Sequence, residues 1–165
     1  MKIAAVQRKS NISVLFALGL LLFALTPGAV AARRSSSAAE LNLLAAVNAT
    51  RSAHGLPPLR LDPTLRQAAE SHSADMLRRD YFAHGNFPGR MAAFHVRGTA
   101  KGENLAWGNG RYGKAGVIVG EWLASPEHRA IMLRPGFSRI GIGLVRGSFL
   151  GNGGATVVTA DFAGT

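Results

Sequence analysis

The sequence predicts an α+β domain in which helices pack on a short antiparallel sheet. Three observations carry this. Two long helix-forming runs follow residue 38, two alternating or β-branched segments close the chain, and 165 residues without one cysteine leave packing to hold a single domain together. Disulfides, thiolate metal sites and cysteine nucleophiles are excluded together.

The first 31 residues read as an address rather than as fold. Lys2, Arg8 and Lys9 precede Val14 to Leu25, twelve residues with no polar or charged side chain, and Ala29-Val30-Ala31 follows. A basic start, an apolar core of about 7–15 residues and a small-x-small exit describe a secretory signal peptide. The apolar run is shorter than the roughly 20 residues a spanning helix needs. Residues 1–31 are therefore expected to be a signal peptide, 32–38 a polar linker reading ARRSSSA, and 39–165 the exported domain, secreted or periplasmic. The whole chain carries a formal +10, of which Lys2, Arg8, Lys9, Arg33 and Arg34 account for five, leaving about +5 on the packed domain. Those basic residues are scattered, so contact with an anionic surface is an expectation and nucleic acid is not.

Ala38 to about His54 is the first helix, with Leu41, Leu44, Ala45 and Asn48 as its predicted buried stripe, ended by Gly55, Pro57 and Pro58. Asp62 followed by Pro63 starts the second, the carboxylate capping free amides. Leu65, Ala68, Ala69, His72 and Met76 then form one face as far as Arg79. From Asp80 to Asn109 the periodicity dissolves, and a long loop with one helical turn near Arg90 to Val96 is expected. Gly113 to Ala124 reads as a third helix carrying Val117, Ile118 and Trp122, and Ser125-Pro126 opens a further turn to Met132. Ile140, Ile142 and Leu144 alternate with Gly141 and Gly143, Val157 to Phe162 is β-branched and aromatic, and Gly147 to Gly154 supplies the connection of a hairpin.

Five histidines and a few carboxylates are the candidates for metal or proton chemistry. His72 lies on the apolar stripe of the second helix and reads as a core histidine. His54 reads as a partner for the helix C-terminus, and His95 as surface. His84, Glu103 and His128 stand in tight Gly or Pro contexts, YFAHGN, KGENLAWG and SPEHR. Two imidazoles and a carboxylate suit either a divalent cation with open positions or proton shuttling, and three separate structural hydrogen bonders remain the alternative. Ser125 lies three residues before His128, which suits a Ser-His-Glu nucleophile with Glu103 as orienter. A helix N-cap role accounts for the same serine.

The segments NATRSAHGLPPLRLDPTL, SADMLRRDYFAHGN, GENLAWGNG, EWLASPEHRAIMLRPGFSRIGIG and VVTADFAG, in this order, resemble the bacterial branch of the CAP superfamily. That superfamily groups the cysteine-rich secretory proteins, the insect antigen-5 proteins and the plant pathogenesis-related proteins of class one, and its domain is also called SCP. The resemblance runs from Leu41 to Gly164. It implies an α-β-α sandwich, with a small antiparallel sheet between helical layers and a cleft carrying two histidines and two acids. His84, Glu103 and His128 match three of the four. Where many eukaryotic members carry a glutamate three residues after the helix-three tryptophan, this chain has Ser125, and Glu121 precedes Trp122 instead; the fourth role is not carried onto it.

The resemblance implies a divalent metal, zinc first, held by His84, Glu103 and His128, and Ser125, three residues before His128, is an accessory candidate. The resemblance also implies a lipid or other cell-envelope component as ligand, and no common reaction. The expected function is a secreted, non-catalytic module whose cleft takes metal and an amphipathic or anionic ligand. The alternative is a metal-assisted hydrolase of a cell-envelope polymer or peptide, with Glu103 or His128 as general base.

Overall fold

The structure is a computed structural model that describes residues 37–165. The signal-peptide reading and all but the end of the linker lie outside those residues. In chain order the elements are α1 (Ala38–Ala53), β1 (Arg60–Leu61), α2 (Pro63–Arg79), α3 (Phe87–Ala93), β2 (Ala100–Asn109), a 3₁₀ turn (Gly110–Gly113), α4 (Ala115–Ala124), α5 (Pro126–Met132), β3 (Phe137–Phe149) and β4 (Asn152–Gly164). The four strands form one sheet in the order β1-β3-β4-β2. Its three long strands are antiparallel and the two-residue β1 pairs parallel to β3. Among the described residues no helix is long and apolar enough to cross a membrane.

Side-chain alternation along the strands divides the core into two layers. On one face Ile140, Ile142, Val158, Ala160 and Phe162 pack with Leu43 and Val47 of α1, Ile118 and Trp122 of α4, and Met132 of α5. On the other, Val157, Ala155 and Ala163 meet Met76, Leu65 and Ala68 of α2. This is the predicted α-β-α sandwich.

The glycines of the Ile-Gly-Ile-Gly segment explain how α2 sits so close. A Cβ on Gly141 would overlap the backbone of Leu65 and Arg66, and one on Gly143 the backbone of Ala69 and Glu70. The helix therefore rests on bare strand, while Ile140 and Ile142 serve the opposite layer. Ser73 completes the seam by donating from Oγ to the Gly143 carbonyl at 3.0 Å. Asp62 caps α2 as its sequence predicts: Oδ1 accepts from the amides of Thr64 at 2.9 Å and Leu65 at 3.0 Å, and Oδ2 accepts from Arg139 at 2.7 Å.

Three expectations need correction. The stretch from Asp80 to Asn109 is not a loop, because it contains α3 and the ten-residue β2. Its glycines and charged residues hid a strand whose polar side chains are buried for a purpose other than core packing. The hairpin connection is shorter than Gly147 to Gly154, since the strands run to Phe149 and from Asn152 and turn at Leu150 and Gly151, both with positive φ. The buried stripe of α1 is Glu40, Leu43, Val47 and Arg51, whereas Leu41 and Ala45 are exposed. Charged residues at both ends of that stripe masked it.

Arg51 shows why a charge is tolerated there. Its side chain is fully buried, and its guanidinium donates to the carbonyls of Pro57 (3.0 Å), Met132 (2.8 Å), Arg134 (3.2 Å) and Phe137 (3.2 Å). It ties α1 to the end of α5 and the start of β3, meeting its donors with oxygens that would otherwise lack partners.

The bare seam yields a stability prediction. Gly143→Ala should cost about 3 kcal/mol or prevent folding, since the clash is with backbone. Gly153→Ala, where no atom lies within 4 Å of the added carbon, should change stability by less than about 0.5 kcal/mol. Urea denaturation of both variants measures the contrast, and equal effects would contradict it.

Candidate functional site

β2 is the edge strand next to β4, so side chains from both layers meet along its open side. Glu103 lies on its α2-facing side, directly opposite Asp161 of β4. Both carboxyl groups are buried. Arg90, projecting from α3, forms an ion pair with Glu103 Oε2 and reaches within 3.9 Å of Asp161 Oδ1. Two carboxyls thus share one guanidinium.

That imbalance sets protonation. Burial, together with the facing Glu103, pushes the Asp161 carboxyl up to about 8, with Arg90 opposing. A proton on Asp161 removes the repulsion and leaves Glu103 to Arg90. The structure gives neither Asp161 oxygen a hydrogen-bond partner.

His84 completes the group from the loop before α3. Its Nδ1 lies 2.7 Å from Glu103 Oε1, so the ring donates there to the carboxylate. Glu103 is therefore engaged at both oxygens. His72 is buried nearby, and its Nε2 donates to the Ala83 carbonyl at 3.0 Å while standing 3.9 Å from Glu103 Oε2. Burial, with the Arg90 charge, lowers its pKa and keeps the ring neutral, as a core histidine should be. His54 donates from Nδ1 to the Thr50 carbonyl at 2.9 Å at the end of α1, and His95 is exposed, both in their expected places.

His128 approaches from the other layer, on α5. The Asn104 side chain of β2 donates to its backbone carbonyl at 2.9 Å. Burial, with the charge of His84, lowers its pKa. Ser125 stands at the N-cap of α5 as its sequence predicts, but its side chain does not do the capping. Its side chain makes no capping bond to α5 and lies with Oγ 2.8 Å from His128 Nδ1. Among the described residues no three His, Asp or Glu side chains surround a common ion position.

Beside this group a cleft of about 590 Å³ opens along β2. Its walls are mainly Leu105, Trp107, Ile118, Trp122, Phe82 and Tyr112, with Ser125 and His128 at one end. Trp122 is fixed by its Nε1 donating to the Leu105 carbonyl at 2.9 Å. Glu121 also lines the cleft, although its place before Trp122 argued against a role. Arg90 and Asp161 went unnoticed in the sequence, because each matters only through the register that pairs Glu103 with Asp161.

The buried acid gives a pH prediction. A folded-state pKa raised from about 3.9 means that stability from this group is complete below about pH 4 and is lost as pH rises toward about 8. Asp161→Asn, which mimics the protonated acid, should therefore gain stability over the native chain progressively from pH 5 to pH 8 in urea melts. A difference independent of pH would contradict the assignment.

The profile of the Cysteine-rich secretory protein family (CAP) matches residues 44–162. The uncharacterized protein YkwD of Bacillus subtilis is 35% identical over 116 residues, 67% of this chain and 44% of that protein. The uncharacterized membrane protein YlbC of the same organism is 30% identical over 119 residues, 69% of this chain and 34% of that protein. The chain thus spans less than half the length of these relatives. Among solved structures, an extracellular SCP-domain protein from Bacillus anthracis superposes with a TM-score of 0.64 at 26% identity, over 76% of this chain and 40% of that one. An outer surface protein from Borrelia burgdorferi shares the fold with a TM-score of 0.59 at 22% identity, over 74% and 90% of the two chains. With five helices around a four-stranded sheet among the described residues and this match over most of its length, the chain belongs to the cysteine-rich secretory protein (CAP) family.

Proposed function

We propose that the domain is a binding module acting outside the cytoplasm, whose cleft takes an amphipathic ligand beside a divalent metal held by His84 and His128. One observation carries the metal reading: each imidazole has its Nδ1 engaged, by Glu103 at 2.7 Å and by Ser125 at 2.8 Å, which leaves both Nε2 atoms as the ligating positions. Metal-binding histidines commonly donate their other ring N–H to a carboxylate, which fixes the tautomer and orients the ring. Glu103 fits that orienting role better than a ligand role, since Arg90 takes its second oxygen. The donor set suits zinc. When bound, the ion supplies a Lewis acid with open positions for water or a ligand oxygen.

The cleft supports an amphipathic ligand. A volume of about 590 Å³ lined by two tryptophans, with Glu121 and His128 as polar points, falls within the range of small-molecule sites. The N-terminal basic and apolar segments support export, and the roughly +5 balance of the domain supports contact with an anionic envelope surface. A hydrolytic reading has one observation in its favour, the Ser125–His128 contact. Binding is preferred because, among the described residues, nothing bonds His128 Nε2 to orient the ring as a base.

Zinc calorimetry tests the proposal. His84→Ala and His128→Ala should each abolish measurable binding, and Glu103→Gln should weaken it about tenfold or more while the fold persists. Binding should weaken in acid, at a pH below the ordinary imidazole range where His128 is concerned, because an imidazole must be neutral to ligate and burial lowers the His128 pKa. Native-like affinity in His84→Ala would overturn the assignment.

A further inference from the structure

We propose that a second pocket, between α2 and the start of α3, binds a small oxyanion, a carboxylate or phosphate group, through Arg79 and Arg90. This pocket of about 370 Å³ shares no lining residue with the cleft. His72, Asp75 and Arg79 of α2 form one side, and Tyr81, Asn86 and Arg90 the other. The proposal stands whether or not the histidines hold metal.

Charge is the first argument. Asp75 is surrounded by donors: Arg78 at Oδ1, and at Oδ2 the Tyr81 hydroxyl (2.8 Å) and Arg79 Nη1 (3.3 Å). Glu103 takes Arg90 from behind the pocket. The lining itself carries two guanidiniums, Arg79 and Arg90, and one carboxylate, Asp75.

Hydrogen bonding is the second and independent argument. Arg90 is nine-tenths buried, yet its Nε has no partner and its Nη1 reaches only the His84 carbonyl at a long 3.4 Å. An unmet guanidinium nitrogen in a buried setting is costly and calls for an acceptor. Arg79 lies over the Tyr81 ring with its carbon 5.0 Å from the centroid, and Arg90 lines the same pocket. Two planar guanidinium donors in one lining, with the amide side chain of Asn86, suit a carboxylate or phosphate better than a neutral ligand.

Inorganic phosphate and acetate, titrated separately into isotopically labelled protein, test this. Either anion should produce saturable shifts confined to Gly85, Asn86 and the Arg90 side chain, and the tighter of the two assigns the preferred group. Arg79→Gln, at an exposed position that leaves the fold intact, should weaken binding about tenfold. Arg129→Gln, an exposed arginine of α5 outside the pocket, should bind as the native chain does. Absence of saturation, shifts spread evenly over the surface arginines, or unchanged affinity in Arg79→Gln would overturn the proposal.

Discussion

The ion pair between Arg90 and Glu103 is the interaction on which the site depends. Glu103 is buried on an edge strand opposite a second buried acid, Asp161. An unpaired carboxylate in such a place costs several kcal/mol. Arg90 offsets that cost for one carboxyl, and a bound proton does so for the other. With Glu103 anchored, its remaining oxygen orients the His84 ring from a loop that would otherwise leave the imidazole free to turn. The same guanidinium forms part of the wall of the pocket behind, so two concave regions of the surface share one buried cation.

The fold supplies the geometry for this through its layering. Gly141 and Gly143 let α2 lie against β3, and the register of β3 on β4 puts Asp161 opposite Gly141. Asp161 thus lies beneath the helix layer, away from water. On the other face α4 and α5 pack against the same sheet and carry His128 toward β2. The edge strand β2 thus takes contacts from both layers, His84 through Glu103 and the backbone of His128 through Asn104. The large cleft follows the same edge.

Much of this was legible in the sequence. The capping carboxylate of α2, the apolar face from Leu65 to Met76 and the Ile-Gly alternation of β3 are local patterns, set by helix and strand periodicity, and each appears where those patterns put it. Their Gly and Pro contexts singled out His84 and Glu103, and the resemblance to CAP domains strengthened the grouping, but a contact across 19 residues leaves no local spacing to show that the two pair. What stayed hidden was β2. Its Gly-Glu-Asn segment is buried for charge pairing and hydrogen bonding, so it lacks the apolar alternation that marks a strand. Arg90 and Asp161 were invisible for the same reason: a charged residue reads as surface until the partner that neutralises it is known. Ser125 misled in the opposite direction, since its sequence context fits a helix cap and its hydroxyl turns to His128 instead.

The central claim is that Glu103, held by Arg90, fixes His84 with its proton on Nδ1 and its Nε2 lone pair open. Long-range nitrogen–proton correlation spectroscopy of the histidine rings, recorded above pH 7 on the metal-free protein, reads that tautomer directly. The account predicts the Nδ1–H form for His84 in the native chain and a mixture of tautomers in Glu103→Gln. A native His84 carrying its proton on Nε2 would contradict it.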